Sequence, residues 1–210
     1  IGPPAPLECK PSPSAQIYNT PRLLPAAKIV LRDGFAATLL PVNRSGWGRL
    51  CRLISRGRLR AEKGTCDIGL DDLLEFGGDQ LMVLHAPPTE KVQAGATSWV
   101  SQARSLIRRF PQDVMLFLAP AYDGQDTHQF KNIAALAHTL SVPLVASAAP
   151  VMHHGSRRRL TDALTAIRLG VRVDALGRAA QVNAEQRIRS AAEAAVLFQT
   201  YPEALTQTAR

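Results

Sequence analysis

The chain has 210 residues, 46% of them hydrophobic, and a formal net charge of +8, which suits one packed domain with a sizeable core and argues against a disordered segment. No apolar run approaches the ~18 residues that a membrane span requires, and the opening Ile1-Gly2-Pro3-Pro4 is neither basic nor long and apolar enough for a secretory leader, so a cytoplasmic chain with no membrane partner is expected. The charge is uneven: residues 44–63 carry net +6 and residues 155–189 net +5, leaving the remainder net negative, a concentration that suits contact with a polyanion better than general solubility.

Residues 1–25 hold seven of the fifteen prolines and show no sustained periodicity, so they read as a leader or linker. The chain also starts without Met and reads as a piece of a longer product. Folding is expected from residue 26. Apolar runs at 27–32 and 36–42 flank Asp33-Gly34, the dipeptide of a tight hairpin turn. Residues 46–63 read as an amphipathic helix loosened at Gly57, with Arg49, Arg52, Arg56, Arg60 and Lys63 on one face and Leu50, Ile54 and Ala61 on the other.

Strands at 80–85, 114–118 and 143–146 then alternate with helices at 97–110, 127–140 and 156–169. That alternation predicts an α/β domain over 26–182 with a parallel sheet, open or closed into a barrel, whose working residues follow the C-terminal ends of the strands. The last part, 183–210, reads as helical. Asn183 and Gln186 have capping-box spacing for a helix to about residue 199, and Pro202 suits the first turn of a short final one.

Few side-chain groups point to chemistry. Cys9, Cys51 and Cys66 are odd in number and form no C-x-x-C pair, so they read as reduced structural thiols. Adjacent His153 and His154 diverge on any regular element and have no Asp, Glu or Cys beside them, which favours a rim position over metal ligation. His85 stands at a strand's C-terminal end without a partner, and His128 and His138 sit on a helix surface. Asp71, Asp72 and Glu75 suit the start of a helix, where carboxylates meet the positive end of its dipole. No P-loop and no nucleophilic triad is found.

Two stretches carry a family resemblance. One is Gly46-Trp47-Gly48-Arg49-Leu50-Cys51-Arg52-Leu53-Ile54-Ser55-Arg56, with Arg60-Ala61-Glu62-Lys63-Gly64 after it. The other runs from Pro143-Leu144-Val145-Ala146 through Met152-His153 and Ser156-Arg157-Arg158 to Leu160-Thr161-Asp162-Ala163-Leu164-Thr165-Ala166-Ile167-Arg168-Leu169-Gly170, with Asn183-Ala184-Glu185 beyond. With Asp71-Asp72-Leu73 between them, they resemble the N-terminal PHP (polymerase and histidinol phosphatase) region of bacterial error-prone, DnaE-type (C-family) DNA polymerases over about residues 26–208.

The resemblance implies a distorted TIM-type barrel of parallel strands and helices, followed by a helical segment leading toward the polymerase palm. It also implies a metal site of His, Asp, Glu and Cys at one end of the barrel, where active members hydrolyse phosphoesters. The family's carboxylate ligand falls on Lys28, its ligating Asp on Ala149 and a ligating His on Val151; an ammonium repels a divalent ion, and Ala and Val offer no lone pair. His85 and His153 are the residual candidates.

No cofactor is therefore expected for this segment, and a divalent metal belongs to an alternative reading as a metal-dependent phosphoesterase or 3′-5′ exonuclease. The expected role is a noncatalytic module of a polymerase used in damage tolerance and repair, with the other polymerase domains as partners. DNA-backbone contact would come from Arg49, Arg52, Arg56, Arg60, Lys63, Arg157, Arg158 and Arg159. A second alternative is a free-standing interaction or DNA-binding module.

Overall fold

The computed structural model describes residues 23–87 and 89–209, the side chains of 89–97 excepted. Most of the expected leader, with Cys9, lies outside the described residues. The first two strands, β1 (Ala27–Val30) and β2 (Ala36–Pro41), form the expected hairpin in the register Ala27↔Leu39 to Val30↔Ala36. Its turn holds Gly34 at φ 89°, and the Asp33 carboxylate accepts the Phe35 N–H at 3.1 Å, the role for which Asp-Gly is suited.

The helix α1 (Arg44–Arg60) starts where the Asn43 side chain accepts the Gly46 N–H at 2.9 Å. It ends before Lys63, so the last cation of the expected stripe lies past the helix. Gly57 does not loosen it. A Cβ there would collide with Ile68 and Cys66, and the Gly57 carbonyl accepts the Asp67 N–H at 2.9 Å; the glycine lets the segment after the helix lie directly on it.

After α2 (Leu70–Phe76), β3 (Gln80–His85) pairs antiparallel with β2, matching Ala36 to His85. The helices α3 (Thr89–Arg109) and α4 (Asp126–Leu140) then connect β3 to β4 (Val114–Leu118) and β5 (Leu144–Ala146), both parallel. The sheet order is β1-β2-β3-β4-β5. Only the last three strands are thus parallel, and among the described residues the sheet is open where the resemblance implied a closed barrel.

The outer edge of β5 is met by the last helix. The Thr208 hydroxyl donates to the Ala146 carbonyl at 2.7 Å and accepts the Ala146 N–H at 3.0 Å, so α7 (Pro202–Thr208) satisfies Ala146 on the edge where a sixth strand would pair. One face of the sheet is the core. Strand residues such as Leu39, Leu84 and Leu116 meet Leu50 and Leu53 of α1, Leu73 of α2, Leu106 of α3 and Ile133 of α4, all buried. By the two-residue period of a strand, Lys28, Thr38, His85 and Phe117 stand on the opposite face.

Beyond α5 (Arg158–Leu169) the chain runs through short turns, and Asn183 opens no helix. Its amide oxygen accepts the Glu185 N–H at 2.9 Å and its amide nitrogen donates to the Tyr122 carbonyl at 2.8 Å. Arg187 and Ile188 meanwhile pair with Met152, a contact that holds the stretch extended. The capping box belongs instead to Ser190 and Glu193, which open α6 (Ala191–Leu197).

Candidate functional site

The C-terminal end of β3 and the β1–β2 turn border a cavity of about 450 Å³ lined by Lys28, Asp33, Phe35, His85, Trp99 and Gln102. Its floor is set by the hairpin register and the adjoining strand pairing. These bring His85 within reach of Thr38, with Nε2 and Oγ1 2.8 Å apart, and set its ring 4.7 Å from that of Phe117. Burial, reinforced by the Lys28 ammonium, lowers the His85 pKa to about 4, because both disfavour imidazolium. At neutral pH the site therefore holds a neutral imidazole beside an exposed lysine.

The wall opposite is aromatic and polar. Trp99 stacks on Phe35 with ring centroids 5.5 Å apart, and Gln102 donates to Asp33. Chemically the cavity offers one neutral imidazole, one cation and one carboxylate engaged by its own turn. Among the described residues no three His, Cys, Asp or Glu side chains are grouped to hold a metal ion.

The other positions singled out in the sequence lie in the β5–α5 loop and line no part of that cavity. Ala149 has φ 45°, a left-handed conformation that Asp, Asn and Gly adopt more readily than Ala, and its N–H donates to Ser147 Oγ at 3.0 Å. Val151 is exposed, its N–H donating to the Gln186 carbonyl at 2.9 Å. His153 is exposed, and His154 caps the turn ahead of α5 by accepting the Ser156 N–H at 3.3 Å. The two adjacent histidines are thus a rim residue and a cap.

Three of the four cations of the expected stripe that lie on α1 are neutralised from within the chain. Arg49 Nε is 3.3 Å from an Asp79 carboxylate oxygen, Arg56 makes a forked contact with Glu75, and Arg60 donates to Asp72 at 2.8 Å. Arg56 also lies 4.3 Å over the Phe76 ring. Asp72 is 5% exposed; burial alone would raise its pKa, yet the Gly69 N–H, Arg60 and Arg56 together bring it below the usual carboxylate value. The Ser45 and Asn43 side chains, with Arg49, likewise lower the Asp79 pKa.

Arg52 donates only to the Gly48 carbonyl of its own helix, and Lys63 has no carboxylate partner among the described residues. At α5, Arg158 donates to the Gln181 carbonyl at 2.7 Å and approaches Asp162, whereas Arg157 and Arg159 are exposed without a carboxylate among the described residues. Sequence reasoning missed the acids that meet α1. The signal available was the acidic start of the very next helix, opposite in charge to the one before it.

No family model matches the chain. It is similar to an error-prone DNA polymerase of Ruegeria pomeroyi, with 38% identity over 209 residues, 99% of this chain and 18% of that protein. The error-prone DNA polymerase of Sinorhizobium medicae is 38% identical over 195 residues, 92% of this chain and 17% of its own length. That of Rhodopseudomonas palustris is 36% identical over the same number of residues and the same shares. The chain thus spans less than a fifth of the curated relatives it matches.

Proposed function

From the premise that this chain is homologous to one segment of error-prone DNA polymerases, we propose that it is the PHP-type segment of such an enzyme and that its own role is noncatalytic. The carrying observation is the extent of the match: 99% of this chain against 18% of the Ruegeria relative, as a module within a longer polypeptide would give. The parent's activity would be template-directed DNA synthesis across damaged templates. This segment would brace the other polymerase domains and lend cations to the DNA backbone.

Two features support a noncatalytic role. Lys28 stands beside His85 at the strand-end cavity, where the resemblance calls for a carboxylate ligand, and a fixed ammonium there opposes a divalent ion. Ala149 and Val151 offer no donor atom. For DNA contact, Arg52, Lys63, Arg157 and Arg159 are the better candidates, because Arg49, Arg56 and Arg60 already meet carboxylates of their own chain.

The test is direct. The purified chain should hold no stoichiometric metal by elemental analysis and should leave the 3′ ends of primed DNA intact when manganese is supplied. Stoichiometric metal together with nuclease activity abolished by His85→Ala would overturn the noncatalytic role in favour of a phosphoesterase.

A further inference from the structure

The helix α5 presents an apolar stripe that nothing among the described residues covers. Leu160, Leu164 and Ile167 are 53%, 59% and 76% exposed, and their i, i+4, i+7 spacing puts them within an arc of about 60° on one helix face. Val171 and Val173, also exposed, continue the stripe beyond Gly170 and line a groove of about 700 Å³ with Ala163 and Ala166. On this helix only Ala166 is buried. Contiguous apolar surface of this kind marks an interaction site more often than an ordinary monomer surface.

The charges beside the stripe select its occupant. At about 100° per residue, Arg157 and Arg168 flank it on one side and Arg159 on the other. None of the three has a carboxylate partner among the described residues, and the nearby acids are engaged: Asp162 with Arg158 and the Gln181 N–H, Asp174 with Arg172. A second copy of this chain would bring the same cations against themselves, which costs free energy in a closing interface. An apolar surface with acidic flanks would be complementary in both respects.

We infer that the Leu160–Leu164–Ile167 face of α5 docks an amphipathic, acid-flanked helix carried by the remainder of the polymerase polypeptide. The inference rests on the polymerase reading above and deepens it, since it names the face by which this segment engages its parent. The matched relatives supply ample chain for such a helix, because this segment covers only 17–18% of them. Seating a helix over the stripe would cover the groove at Val171 and Val173 and bring its acids to Arg157, Arg159 and Arg168.

The experiment grafts this chain into the Ruegeria pomeroyi polymerase in place of the matching segment and follows both primer extension and hydrogen exchange of residues 160–173. In an active chimera, exchange there should be slower than in the free chain by about tenfold or more. Ile167→Asp should restore the fast exchange while Leu59→Asp, at an 87% exposed site on α1, does not. Thermal unfolding of the free chain should be unchanged by Ile167→Asp, which separates lost docking from lost folding. An active chimera whose residues 160–173 exchange as fast as in the free chain overturns the docking face and leaves the polymerase reading standing. An inactive chimera without protection overturns both.

Discussion

Helices α1 and α5 look alike as sequences, each an amphipathic stretch with several arginines, yet the fold treats them oppositely. In α1 the apolar side is inside, with Leu50 and Leu53 at 1% and 0% exposure, and Arg49, Arg56 and Arg60 are each met by an acid from later in the chain. In α5 the apolar residues face outward, and Arg159 and Arg168, with Arg157 just ahead of the helix, have no carboxylate among the described residues. The difference lies in the segment next to each helix in the chain. The connection at 61–69 brings α2 back with Asp72 and Glu75 against α1, whereas α5 leads into turns that, among the described residues, leave its outer face bare.

The largest test of this contrast is truncation of the apolar faces. Leu53→Ala should cost about 2–5 kcal/mol in denaturant unfolding, because it opens a cavity in the core, while Leu164→Ala should stay within about 0.5 kcal/mol. Equal costs would break the comparison. Asp72→Ala should come next at about 2 kcal/mol, since it strands the Gly69 N–H and removes the shared partner of Arg60 and Arg56.

Acid titration sharpens the same point with a smaller effect. The folded Asp72 pKa lies below its unfolded value, so its contribution to stability is complete above the unfolded pKa and is lost as pH falls through the lower folded one. Unfolding measured from pH 5 downward should show that loss, and Asp72→Asn should remove its pH dependence while lowering stability at neutral pH. The smallest effect expected is on duplex binding. If backbone contact occurs, Arg157→Gln with Arg159→Gln should reduce the salt-dependence slope of affinity by about 2, whereas Arg56→Gln with Arg60→Gln should hardly change it.

Much of the local structure was legible along the chain. Strands β3 and β4, the hairpin around Asp33-Gly34, and helices α4, α5 and α7 fall where period and turn residues put them. The antiparallel pairing of β2 with β3 was not legible. Two helices intervene, which resembles the crossover of a parallel unit, and only the cross-strand match of Ala36 to His85 reveals the direction. The false start at Asn183 has a similar cause: its spacing to Gln186 suits a cap, but the side chain is held by Tyr122 and its own turn. At the cavity, His85 was visible as a residual candidate and Lys28 as a lost ligand position, while Trp99 and Gln102 join them in the lining, and Thr38 meets His85, only through folding.

By itself the sequence determined the local geometry and which residues share a face, because helical and strand periods are properties of consecutive residues. It also settled that position 28 carries a cation, since the residue type there is independent of fold. Tertiary structure alone decided which faces are covered, which arginines are neutralised and that the sheet stays open among the described residues. Those outcomes depend on long-range contacts: Asp72 and Glu75 reaching α1, and Thr208 occupying the edge of β5. Periodicity along one segment carries no information about the partner that another segment brings to it.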